Sequence, residues 1–192
     1  MNIDNLISSN MCMSCGACKH VSPEKISIEM NSQKGMFLPK LSEALNEKES
    51  SYFEKICPAN GYPIKKIASE IFDKPNYEDY RLGSYISIGA YRMKSKTILK
   101  NASSGGVMTG LAKKLLETNI VQGVVATSFK YVGNKIIPQV EIITDINQLY
   151  KTQGSKYMPV PALLTIDKIK KFNGKVVFIG TPCQIAAIRL IQ

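Results

Sequence analysis

Two textures of hydrophobic and polar positions divide the chain. Near the N-terminus, residues 26–30 and 36–40 alternate enough to predict two short strands. Asn31-Ser32-Gln33-Lys34-Gly35 between them predicts a hairpin turn with the glycine at positive φ. Residues 42–57 are polar and helix-compatible until Pro58 stops them, and the Lys-rich residues 63–75, with Pro at both ends, predict a partly helical connector. From Tyr85 the segments lengthen. Residues 85–93 predict a strand, and Ser103-Ser104-Gly105-Gly106 opens an amphipathic helix to about Thr118 with Val107, Leu111, Leu115 and Leu116 on one face. Residues 122–129 and 135–143 predict strands, Asp145 caps a short helix toward Lys151, and residues 163–171 predict a helix ending near Asn173-Gly174. Residues 175–179 form a mostly apolar strand of the buried parallel kind, and residues 181–190 begin a helix with Pro182 in its first turn. The expected architecture is a small α+β unit over residues 1–62, a linker over 63–84 and an α/β unit over 85–192. Because the chain stops at Gln192 in a helix that follows a central strand, the α/β unit is expected to be incomplete and the sequence truncated.

Composition narrows the classes. With 192 residues, 44% of them hydrophobic, the chain is long enough for one core or a large and a small one. Its longest apolar runs are a handful of residues, far short of the roughly 20 that span a bilayer. Residues 1–10 lack the basic and apolar regions of a signal peptide, so a reducing cytoplasm is expected. The net charge of +10 suggests nucleic acid until its distribution is read. Residues 1–60 hold six Lys and seven Asp or Glu, whereas the remaining residues hold 19 basic and 8 acidic side chains. The basic residues are scattered, as at Lys65-Lys66, Lys113-Lys114 and Lys170-Lys171, without an aromatic-basic stripe, so no nucleic-acid partner is expected.

The strongest chemical signal is Cys12-x-x-Cys15-Gly16-x-Cys18. Three thiols at two-residue spacings around a glycine suit one inorganic cluster, as in the ferredoxin run Cys-x2-Cys-x2-Cys-x3-Cys-Pro. Ser22-Pro23 stands where the fourth Cys-Pro belongs, and Cys57-Pro58 stands where the last Cys-Pro of a second run would complete the first cluster. In a two-cluster ferredoxin the fourth Cys of a run serves the other cluster. Cys12, Cys15, Cys18 and Cys57 therefore predict one [4Fe-4S] site, with a second one lost. A structural zinc site is the rival, although zinc usually takes two separated Cys pairs. His20, the only histidine, is read as a loop residue, and its isolation leaves no hydrolase triad to build.

Three further segments carry candidate chemistry. Ser103, Ser104, Gly105 and Gly106 offer hydroxyls and close backbone approach at a helix start, which suits a phosphate or merely an N-cap. Gly154, Ser155, Lys156 and Tyr157 combine a turn, a hydroxyl, a cation and a ring, which also describes a surface loop. Gly180, Thr181, Pro182 and Cys183 follow a strand end, where ligands bind in α/β sheets. There Cys183 is either a reactive thiol in a helix first turn or a small buried hydrophobe.

Taken in order with Gly35-Met36-Phe37-Leu38-Pro39 of the hairpin, these blocks resemble the family of coenzyme F420 hydrogenase/dehydrogenase beta subunits, which are iron–sulfur flavoproteins. The likeness runs from Met11 to the end of the chain. The resemblance implies a ferredoxin-like [4Fe-4S] domain followed by an α/β domain binding FAD, in an oxidoreductase subunit. Electrons would pass between the cluster and FAD and on to coenzyme F420 or another soluble small-molecule acceptor. The redox partner would be a ferredoxin or a dehydrogenase or hydrogenase subunit. By matching positions, Ser103–Gly106 would cradle the FAD phosphates, Gly154–Tyr157 would line the cofactor, and Gly180–Pro182 would approach it. Lys156 would stabilise reduced flavin, and Cys183 would stand beside it. The departures are Ser22, the missing second Cys run and the absent C-terminal part. A flavin-free iron–sulfur carrier or assembly subunit, and a zinc-bearing nucleic-acid binder, are the competing classes.

Overall fold

The structure is a computed structural model that describes residues 1–73 and 81–192. Helix α1 (Ile3–Ser8) opens the chain, capped by the Asn2 side chain. The Cys12–Cys18 loop follows and closes in a 3-10 turn, Ala17–His20. Strands β1 (Ile26–Asn31) and β2 (Met36–Leu41) pair antiparallel with Asn31 opposite Met36, and Gly35 takes φ 64° in the turn, as the spacing predicts. Helix α2 (Glu47–Ile56) starts at Asn46, whose side chain and that of Glu49 form a reciprocal capping box. Cys57 ends it ahead of Pro58. Ile3, Leu6, Ile26 and Phe53 bury themselves around Cys57, each contributing about 1.5–3 kcal/mol if fully removed from water.

Where a ferredoxin run would carry its fourth cysteine, Ser22 is 1% exposed and built into a polar knot. Its hydroxyl donates to Glu24, with Glu49 Oε1 2.9 Å away, and Lys25 Nζ lies 2.9 Å from the other Glu49 oxygen. Lys25 and the Asn46 N–H hold the Glu49 carboxyl below its ordinary value of 4.5. A depressed folded-state value means stability present above 4.5 and lost as pH falls through the lower, folded value. Glu49→Gln is accordingly expected to lower the melting temperature at neutral pH and to flatten its decline on acidification, measured by circular dichroism.

Helix α3 (Ile64–Ile71) occupies the start of the expected linker, and residues 74–80 of that linker lie outside the described residues. The expected strand at 85–93 does not form. Ile86 is 92% exposed, Ile88 and Tyr91 are also exposed, and of these residues Met93 pairs its N–H with Gly105 O. Alternation without a neighbouring strand produces extended chain but no ladder. This segment packs on the Ser103–Gly106 loop so tightly that a Cβ on Gly105 would sit 2.5 Å from Tyr91 O. A short helix that the pattern did not foretell, α4 (Lys96–Lys100), precedes the loop and is capped by Ser95.

Helix α5 (Val107–Glu117) begins at Gly106. Its packed face is rotated from the expected one: Ala112 and Leu116 join Val124, Ala126, Ile143 and Leu149, while Leu111 faces solvent. Ala112 packs into that cluster, and Gly110 packs against Met93, where a Cβ would collide with Sδ; small residues such as these carry little weight in a hydrophobicity pattern. Strands β3 (Gly123–Val132) and β4 (Lys135–Ile143) pair antiparallel. Helix α6 (Ile146–Tyr150), capped by Asp145, leads to a 3-10 turn, Ala162–Thr165, and helix α7 (Ile166–Lys171). Strand β5 (Val176–Phe178) pairs parallel with β3, and the sheet order is β4-β3-β5. The sheet is therefore mixed. Lying at its edge, β5 is half-buried rather than fully buried. Helix α8 (Pro182–Ile191) returns across the Cys loop, where Ala187 packs with Cys15, Ala17, Leu163 and Ile166. No helix among the described residues is long and apolar enough to cross a membrane.

Candidate functional site

Two cavities hold the residues singled out by sequence. Cys12, Cys15, Cys18 and Cys57 all line the first, together with Leu6, Ile28, Phe37, Phe53 and other apolar side chains. Their loop is held by Ser14, buried at φ 53°, whose hydroxyl donates to Phe37 O at 2.8 Å, and by Gly16 at φ 85°. Burial pushes all four thiols up, Cys15 to about 12. Neighbouring sulfurs add to the rise at Cys15, Cys18 and Cys57. Four bare thiolates do not coexist in such a place, whereas a polynuclear cationic core would supply the charge that stabilises them. The donor set thus fits an iron–sulfur cluster. Among the described residues no three His, Cys, Asp or Glu side chains stand together closely enough to hold a single ion, so the thiols share a cavity rather than one point.

The second cavity is a cleft of about 730 Å³, within the range of roughly 300–1,000 Å³ usual for ligand sites. It unites the three other segments. Ser103 to Gly106, Gly154 to Lys156, and Gly180, Thr181 and Cys183 all line it. Ser103 Oγ accepts the Ser155 N–H at 2.8 Å, tying the first segment to the second. At Gly106, φ of 71° lets the chain turn into α5, and no side chain caps the helix there. Val107, Met108 and Thr109 of its first turn line the cleft, so helix-start N–H groups and the positive end of the dipole face the same space. That arrangement fits the phosphates of a dinucleotide. Ser103→Ala, which removes the acceptor for Ser155, is expected to cost about 1 kcal/mol in denaturant unfolding.

Lys156 is a cleft residue whose ammonium is already engaged. Nζ donates to the carbonyls of Thr152, Gln153 and Gly154 at 2.6, 3.0 and 2.9 Å and lies 5.6 Å from the Phe129 ring. Burial lowers its pKa. Cys183 is half-buried with Sγ 3.1 Å from Thr181 Oγ1. Tyr157 is 94% exposed and Pro182 faces elsewhere, so neither lines the cleft. Sequence reasoning missed Tyr91, Gln153 and Gln184, which do. Gln184 was legible as the third residue of a helix: its Oε1 accepts the Thr181 N–H and its amide donates to Val160 O, bracing the cleft wall. It also missed Met13, which lines both cavities and is their common wall. His20 is no free loop residue. Its side chain is 5% exposed, with Nε2 2.8 Å from Leu163 O.

Similarity to known proteins covers both parts of the chain. Residues 89–167 match the model of the coenzyme F420 hydrogenase/dehydrogenase beta subunit N-terminal region. The coenzyme F420-dependent sulfite reductase of Methanocaldococcus jannaschii is 30% identical over 99% of this chain and 26% of its own. The coenzyme F420 hydrogenase subunit beta of Methanosarcina barkeri is 30% identical over 60% of this chain and 40% of its own. One of the subunits of the F420H2 dehydrogenase of Methanosarcina mazei is 25% identical over 99% of this chain and 51% of its own. The chain thus spans about a quarter to a half of the length of these relatives.

Proposed function

We propose, from the match of residues 89–167 to the model of the coenzyme F420 hydrogenase/dehydrogenase beta subunit N-terminal region, that the chain belongs to that family and is an iron–sulfur flavoprotein oxidoreductase subunit. It passes electrons between one [4Fe-4S] cluster and FAD, and on to coenzyme F420 or another soluble acceptor. The observation that carries this reading is the sharing of Met13 between the four-cysteine cavity and the cleft, a closeness that would suit electron exchange between a group held in one and a group held in the other. Flavin supplies the exchange between single electrons and hydride equivalents.

Each of the chain's residues has a role in this reading. Cys12, Cys15, Cys18 and Cys57 ligate the cluster. Ser103, Ser104, Gly105 and Gly106 with the first turn of α5 hold the FAD phosphates. Ser155 and Gly154 keep that loop in place through Ser103. Lys156, held by three carbonyls, supplies fixed positive charge at the cleft wall that favours reduced, anionic flavin. Gly180, Thr181 and Cys183 close the far side. The basic α/β half suits an anionic cofactor and acceptor. The iron–sulfur unit over 1–62, the linker over 63–84 and the flavin unit over 85–192 belong to the same reading. So do a cytoplasmic location, where thiols stay reduced, and a partner that is a ferredoxin or a dehydrogenase or hydrogenase subunit.

Anaerobic purification followed by iron, sulfide, zinc and flavin assays with a visible spectrum tests it. Flavin bands over broad cluster absorption are expected. Zinc without iron would overturn the reading, and iron without flavin would leave the flavin-free carrier in its place.

A further inference from the structure

The two cavities are built by segments far apart in the chain, so their separation depends on what joins the Cys loop to the α/β half. Leu163 is gripped at both its backbone groups. Its N–H donates to Cys15 O at 2.9 Å, and its carbonyl receives the His20 ring at 2.8 Å. A carbonyl only accepts, so Nε2 of His20 carries the proton in this contact. The other ring nitrogen, Nδ1, lies 3.5 Å from Asp167 Oδ1 on α7. Beside this grip, Gly16 approaches Leu164 so closely that a Cβ there would be 3.3 Å from Leu164 Cγ. Cys15, Ala17, Leu163, Ile166 and Ala187 seal the contact as one buried cluster. Of the side chains in the Ala17–His20 turn, His20 reaches across 143 residues of sequence to make a polar bond.

We propose that His20 is a positioning residue: it bolts the Cys12–Cys18 loop to the Leu163 turn and thereby sets the distance between the four-cysteine cavity and the cleft across Met13. The inference deepens the proposed function and rests on it for the identity of the two cofactors. Packed contacts alone permit sliding, whereas directional bonds at both the N–H and the carbonyl of one residue fix register and angle. His20 acts here through its donor and not as a ligand, since Nε2 is already engaged by the carbonyl.

His20→Ala and His20→Gln in the full chain, purified anaerobically, test this. The Gln amide restores an N–H for Leu163 O. Two readouts are taken: hydrogen exchange at the Leu163 amide, which needs no cofactor, and the fluorescence lifetime of bound flavin, which a nearby cluster quenches according to distance. With iron and flavin contents unchanged, His20→Ala is expected to exchange several-fold faster at Leu163 and to lengthen the lifetime, and His20→Gln to restore both. Unchanged exchange, or faster exchange with an unaltered lifetime, would overturn the positioning role. If the wild-type chain binds neither iron nor flavin, the cofactor reading fails, while the exchange readout still decides the clasp. Should His20→Ala not fold, His20→Phe, which fills the space without a donor, takes its place.

Discussion

Replacing Cys15 by serine is expected to abolish the cluster: iron per chain falls to background and the broad visible absorption disappears, while Cys183→Ser leaves both intact. Cys15, one of the four proposed ligands, is held from several sides. It is buried, its carbonyl is held by the Leu163 N–H, and its neighbours Gly16 and Ser14 both sit at positive φ. A serine hydroxyl there ionises far less readily than a thiol and is a hard donor where iron–sulfur chemistry wants a soft one. No nearby side chain replaces it without unpicking that backbone. Cys183 is close enough to raise the Cys15 pKa, yet it lines the cleft and not the four-cysteine cavity. The pair of variants therefore separates ligation from mere proximity, with iron assay and visible spectrum as the measurement.

The second large effect is expected at Gly106→Val. Its φ of 71° lies in the left-handed region, and a Cβ would stand 2.8 Å from Cγ2 of Ile98, which is itself buried. Strain of this kind costs about 1–3 kcal/mol, more for a β-branched residue with no room to turn. The chain relieves it by moving the start of α5, and with it the N–H groups that face the cleft. Flavin content is expected to fall by roughly tenfold or more, the equivalent of about 1.4 kcal/mol in binding, while iron content stays at the wild-type level. Flavin released by acid precipitation and iron measured on the same sample check both halves. Equal loss of iron and flavin would mean general unfolding.

How far the sequence led differs between elements for physical reasons. The β1–β2 hairpin, the stop at Pro58 and the cap at Asp145 rest on interactions within a few residues, and the chain spells them out locally. The four cysteines and the three cleft segments announced themselves by chemistry, and the structure brings them to two adjoining cavities. Residues 85–93 misled because alternation looks the same in a ladder strand and in an extended segment lying on a loop; only the absence of a neighbouring strand separates the two. The rotation of α5 was hidden because Gly110 and Ala112 pack by being small. Tyr157 was grouped with its neighbours by adjacency, and the turn at Gly154 sends it outward. Met13 and His20 were illegible in a different way. His20 matters through its bond to Leu163, 143 positions later, and Met13, a variable letter of the Cys run, through lining a cleft built from the other half of the chain.

Ser22 bears on whether the fourth cysteine of the ferredoxin run could be restored. A Ser22→Cys change restores the letter of the ferredoxin run, yet the new sulfur would arrive among Glu24, Glu49 and Lys25, a place arranged for a small hydroxyl. Of the five cysteines, four line the first cavity and the fifth lies at the cleft, so no ligand set awaits it. The bulkier, weakly donating thiol would also break the knot that joins the Cys loop to the start of α2. A step backward would thus cost folding without adding a redox centre. On the proposed reading, serine at this position acts as a ratchet, holding the N-terminal unit to a single centre however the rest of the surface drifts.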